Sequence, residues 1–149
     1  MRKYMMVVAI SLLCLAAVMQ LTAQTSNANV DADADAKEII AKMTAAMNLL
    51  AQDVEEMSSP EDFIEACNRY AETVEAYGKK MFAVVKAHPE WGENPPEEMQ
   101  ATLDEYGEAL LRYDPALSAI TRYANDHYES EAVQEAMKRL NTAVYSMYK

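Results

Sequence analysis

FIEACNRYAETVEAYGKKMFAVVKAH, Phe63 to His88, is the stretch whose reading decides the fold. Its large apolar residues step by threes and fours: Phe63, Cys67, Tyr70, Val74, Tyr77, Met81 and Val84, ending at His88. That is a 3.5-residue seam along one helix face, the pattern of helices packed nearly parallel or antiparallel to one another. Just upstream, Ser59-Pro60-Glu61-Asp62 supplies a capping serine, a proline at the first helical position and acids in the first turn.

The same spacing recurs outward from this segment. Ile40, Met43, Met47, Leu50, Val54 and Met57 form an earlier run. Met99, Leu103, Tyr106, Leu110, Tyr113, Leu117, Ile120, Ala124 and His127 form a third. Val133, Met137, Leu140, Val144 and Met147 form the last. Asn94-Pro95-Pro96-Glu97 reads as the start of helix 3, and Asp126 with Glu129, or Ser130, as the cap of helix 4. Asp114-Pro115 could break helix 3, but the seam passes it unshifted, so a kinked continuous helix is expected.

Facing residues of two antiparallel helices have a nearly constant sum of residue numbers. Val54–Phe63 to Ile40–Tyr77 satisfy this for helices 1 and 2, and Ala124–Val133 to Leu110–Met147 for helices 3 and 4. Helices 2 and 3 match within one residue, as in Tyr70–Tyr113 and Tyr77–Tyr106. The expected fold is therefore all-α, an antiparallel up-down-up-down four-helix bundle over residues 37–149.

The N-terminal part reads as an address. Arg2 and Lys3 precede an apolar run from Met5 to Met19, and Leu21-Thr22-Ala23 offers a small residue for cleavage before Gln24. Residues 1–23 are thus expected to be a secretory signal, and the location periplasmic or secreted, of Gram-negative type. With 13 Lys+Arg and 24 Asp+Glu in the chain, loss of Arg2 and Lys3 leaves 11 against 24, a net −13. Such an acidic protein should repel nucleic acid and anionic membrane surfaces, and no membrane span is expected after cleavage. Of two cysteines only Cys67 remains, so no internal disulfide can form.

Asp31, Asp33 and Asp35 alternate with alanines and invite a calcium-loop reading. Counted from Asp31, the sixth and twelfth positions are Ala36 and Lys42 where Gly and Glu are required, so residues 24–36 are expected to be a disordered acidic leader.

Catalytic signatures are missing. Gly78, Gly92 and Gly107 are isolated, and His88 and His127 fall at opposite ends of helix 3. No Glu-x-x-His precedes either histidine, so no enzyme activity is expected. The plan resembles the small periplasmic b-type four-helix cytochromes: a signal peptide, a bundle and methionines on helix 1. That resemblance implies haem ligation by a first-helix Met and a last-helix His. Met43 or Met47 could supply the first, but helix 4 has no histidine, and Met147 could offer only bis-Met ligation. Soft methionines with His88 could alternatively suit copper(I). The expectation is no cofactor.

Two places are candidates for binding. Tyr77-Gly78 and Tyr106-Gly107 lie level with each other and could frame a ligand slot. Helices 2 and 3 also run past the end of helix 4, extending roughly 16 Å as a protruding hairpin. This tip carries Phe82, Val85, Trp91 and Met99, an apolar set suited to a protein partner or a second copy of the chain. In a competing arrangement the leader continues helix 1 and covers the tip. The expected function is an exported interaction or binding module, with a small-ligand, metal or haem carrier as the alternative.

Overall fold

A computed structural model describes residues 30–149, with side chains from residue 35 onward. The expected signal, residues 1–23, and its cleavage before Gln24 lie outside the described residues. Four helices follow in order: α1 Val30–Glu56, α2 Pro60–Ala87, α3 Glu97–Asp126 and α4 Glu131–Ser146, with a 3₁₀ turn at Pro89–Gly92 between α2 and α3. The chain is an all-α four-helix bundle, and no strand occurs among the described residues.

Each helix begins where its chemistry allows. At α2, the Asp62 amide donates to Ser59 Oγ (3.2 Å), while the Ser59 amide donates to Asp62 Oδ2 (2.9 Å), a reciprocal cap. The amide of Ser58 also donates to Asp62 Oδ2 (2.9 Å), and these bonds hold the Asp62 carboxyl below its ordinary range. Helix α3 starts later than Asn94 suggested. Pro96 forces Pro95 away from helical backbone, and Pro96 itself is extended (ψ 148°), so the helix begins at Glu97 with no side-chain cap. Ser130, not Asp126, caps α4 by accepting from the Val133 amide (3.4 Å). Helix α3 runs unbroken through Pro115, which sits on the exposed face, so the Leu111 carbonyl that loses its helical donor lies beside solvent.

The start of α1 corrects one expectation. Of the leader expected at residues 24–36, residues 24–29 lie outside the described residues and residues 30–36 are helical rather than disordered. Alanine favours the helix, and aspartates in the first turns interact well with its positive end. Ala36 is buried, and Lys37 Nζ donates to the Glu98 carbonyl (3.3 Å), so α1 reaches the start of α3.

The seams form the core. Ile40, Leu50, Phe63, Val74, Ile120 and Leu140 are almost fully buried. Successive helices alternate in direction, but their lateral order differs from the expected one. The closest packing is α1 on α3 and α2 on α4, both parallel pairs, with α1 also along α2. Arg112 Nη1 to Asn48 Oδ1 (3.2 Å) ties the first pair, and Arg139 Nη1 to Asn68 Oδ1 (3.0 Å) the second. Helices α2 and α3 lie diagonally across the core, where Phe63 stacks on Tyr123 (4.9 Å) and Tyr70 meets Tyr113 (5.3 Å). Small residues account for this order. Thr102, Ala109 and Ala116 repeat every seventh position on α3, and Ala136 and Ala143 do so on α4; all are buried. They let backbones approach where bulkier side chains would hold them apart. Gly78 is the extreme case. A Cβ there would overlap the Met147 side chain, so glycine makes room for Met147 against α2.

Candidate functional site

Unequal helix lengths create the site. Helix α2 has 28 residues and α4 has 16, roughly 42 and 24 Å. Because α4 stops near Gly78, the far ends of α2 and α3 lack their fourth wall. Helix α1 covers one flank, so the tip is not the freely protruding hairpin expected from the register. Trp91 is 8 % exposed, Met99 1 % and Met81 4 %. On the uncovered side a pocket of about 380 Å³ remains, to which α4 contributes no residue.

Its walls are apolar. Met81, Val84 and Val85 come from α2, and Leu103, Tyr106 and Leu110 from α3. Ile40 of α1 and Trp91 of the connecting turn complete the apolar lining. The turn holds Trp91 firmly. The amide of His88 donates to the Val84 carbonyl (3.0 Å), ending α2, and the Trp91 amide donates to the His88 carbonyl (3.2 Å). The imidazole of His88 stacks on the indole at 3.9 Å and 15°. Glu90 Oε1 lies 3.5 Å from His88 Nδ1.

Polar groups border this lining. Glu93 and Asp104 bring carboxylates, and Gln100 donates to Asp104 Oδ1 (2.9 Å). No lysine or arginine lines the pocket. Among the described residues neither Glu93 nor Asp104 takes part in an ion pair. A cavity of this kind can hold a small molecule by its apolar body and address a polar head at the border.

The expected site residues separate into two groups. Val85 and Trp91 from the tip and Tyr106 from the slot meet in the pocket. Phe82 packs edge-on against Tyr148 at 5.4 Å, and Met99 is sealed in the core. Gly78 is covered by Met147, Tyr77 lies beneath the Lys80 ammonium (5.5 Å), and Gly107 has open space where a side chain would stand. Tyr77, Gly78 and Gly107 therefore do not converge with Tyr106 on one slot. Leu103, Glu93 and Asp104 were not among the expected site residues, and His88 was raised only as a copper(I) ligand. The early end of helix 4 was the signal for them, because it leaves the space they border.

The remaining reactive groups are structural. Cys67 is fully buried, and burial pushes its thiol up to about 12, leaving it protonated and inert at neutral pH. Burial likewise raises the phenols of Tyr70 and Tyr113, with each other's rings adjacent. Met43 and Met47, raised as haem or copper ligands, are packed in the core. Among the described residues no cluster of three or more His, Cys, Asp or Glu is arranged to hold a metal, and no helix is long and apolar enough to cross a membrane. A second depression of about 570 Å³ between α2 and α4 is broader and more polar, and its Arg139 is engaged with Asn68, Glu72 and Glu75. Compared with known proteins, the chain matches no family model, no curated protein and no solved structure.

Proposed function

We propose that the protein is an exported, non-enzymatic binding module whose working part is the pocket at the α2–α3 end, and that its ligand is a small molecule with an apolar body. The observation that carries this is the pocket itself: about 380 Å³ walled by aliphatic and aromatic side chains where α4 falls short. That volume is at the small end of the range of about 300–1,000 Å³ over which pockets hold small organic ligands. Export rests on the N-terminal signal pattern, and the net charge of −13 after cleavage suits a soluble secreted protein that avoids nucleic acid. Neither a cofactor nor a second chain is required for this activity. The protein partner expected at the tip gives way to a small ligand, because Trp91 and Met99 are already buried and Phe82 is packed on Tyr148.

Trp91 is the single tryptophan of the chain and lines the pocket, so its fluorescence reports occupancy directly. The neutral probe N-phenyl-1-naphthylamine should bind one to one and quench Trp91 emission by energy transfer. At about 0.4 kcal/mol per non-hydrogen atom, its Kd should be on the order of 10 µM. Val84→Phe and, from the opposite wall, Leu110→Phe should each fill the pocket and weaken binding at least about tenfold with helicity retained. Absence of saturable binding, or binding unaffected by both folded variants, would refute the proposal.

A further inference from the structure

We infer that the pocket selects an organic cation: a protonated or quaternary amine carried on an apolar body of roughly ten atoms. This rests on the pocket being a binding site and adds the sign of the ligand's head group. Every formally charged side chain that lines the pocket, other than the titratable His88, is a carboxylate, Glu93 from the turn and Asp104 from α3. They approach the cavity from two different elements, so a head group between them meets negative charge from both. Neither is neutralised by a lysine or arginine, and the one side-chain donor on Asp104, Gln100, is uncharged. His88 cannot serve as a free cationic anchor for an anion, since its ring is stacked on Trp91 and Glu90 lies beside Nδ1.

The alternatives fit less well. An anionic amphiphile such as a fatty acid would bury its chain equally well but set its carboxylate against Glu93 and Asp104. A neutral one would leave both carboxylates with water and gain nothing from them. A cationic head stays partly hydrated at the border, so it gains attraction without the large desolvation cost of a buried ion. The gain is that of exposed charges several ångströms apart, and it must weaken with salt.

Three compounds with one apolar body separate the possibilities: nonylammonium, 1-nonanol and nonanoate, each titrated against the exported protein at pH 7 with Trp91 emission as readout. In about 20 mM salt, nonylammonium should bind roughly five- to tenfold tighter than 1-nonanol, and nonanoate more weakly than the alcohol. In about 0.5 M salt the ammonium and the alcohol should converge to within about twofold. The double change Glu93→Gln with Asp104→Asn should remove the preference, bringing nonylammonium and 1-nonanol to within about twofold of one another. Both side chains are exposed, so the fold should tolerate the change. Equal binding of the ammonium and the alcohol would overturn the cation inference while leaving the pocket intact as a binding site. So would a preference that survives the double change, since it would then come from the chain's overall charge. If none of the three compounds perturbs Trp91, the pocket itself is not a binding site and both readings fall.

Discussion

Between pH 9 and pH 12 the bundle is expected to unfold cooperatively. Burial raises the Cys67 thiol from its ordinary 9.0 to about 12, and burial chiefly raises Tyr106 from 10.0 to about 12. Tyr70 and Tyr113 are pushed up as well, by desolvation first and by neighbouring phenols second for Tyr70. All four groups are neutral acids that hold their protons more tightly in the fold. Below pH 9 neither state ionises and stability is complete. Above it the unfolded chain releases protons that the folded chain keeps, so stability falls as pH rises toward the folded values. At 1.36 kcal/mol per pH unit, Cys67 alone accounts for about 4 kcal/mol and Tyr106 for about 2 kcal/mol by pH 12. Domain stabilities are about 5–15 kcal/mol, so the loss is decisive. Exposed tyrosines such as Tyr128 and Tyr145 ionise without unfolding, so it is the remaining phenolate absorbance at 295 nm, from the buried tyrosines, that should appear together with the loss of ellipticity at 222 nm. Complete phenolate formation with helicity retained would show that these side chains are not buried as described.

Replacing Phe63 by alanine should cost about 3–5 kcal/mol. Phe63 is fully buried where α2 begins, and it stacks on Tyr123 of α3 at 4.9 Å. Tyr123 in turn stacks on His127 at 4.0 Å, so the deletion removes the buried ring from a three-ring column that closes the end opposite the pocket. Thermal unfolding should move down by roughly 10–20 °C. The matched control is Phe82→Ala. Phe82 is half-buried against Tyr148 and should cost about 1–2 kcal/mol. Equal losses for the two variants would contradict the described core.

Fold class and the starts of α2 and α4 were legible because they depend on local chemistry. The three-four steps through Ile40, Phe63, Ile120 and Leu140 mark the faces that are buried, and Ser59 and Ser130 cap the helices they precede. Lateral order was not legible from the large apolar residues. Any antiparallel helices of common period satisfy a constant residue sum, so the test could not tell neighbours from diagonals. The deciding residues were small, Thr102, Ala109 and Ala116 on α3 and Gly78 on α2, and these carry little weight in a hydrophobic seam. The start of α1 was missed for a related reason: three aspartates outweighed the alanines between them, although Ala36 is a core residue.

The site was legible in part. Trp91, Val85 and Tyr106 stood out by residue type and do line the pocket. The length difference between α2 and α4 was visible too, but it pointed equally to a protruding hairpin or to a missing wall. Only the position of α1 separates these, since Lys37 on Glu98 closes one flank and leaves the other open. Phe82 and Met99 were misleading because apolar character alone does not say whether a side chain faces out or in.

Site-resolved methyl NMR tests the central claim most directly. On addition of 1-nonanol to the protein, the methyl signals of Ile40, Val84, Val85, Leu103 and Leu110 should shift together with a single saturation curve. Those of Val133 and Leu140, in the four-helix part, should stay in place. Shifts confined to the α2–α4 groove, or no saturable shift at the five pocket residues, would contradict a binding site at the α2–α3 end.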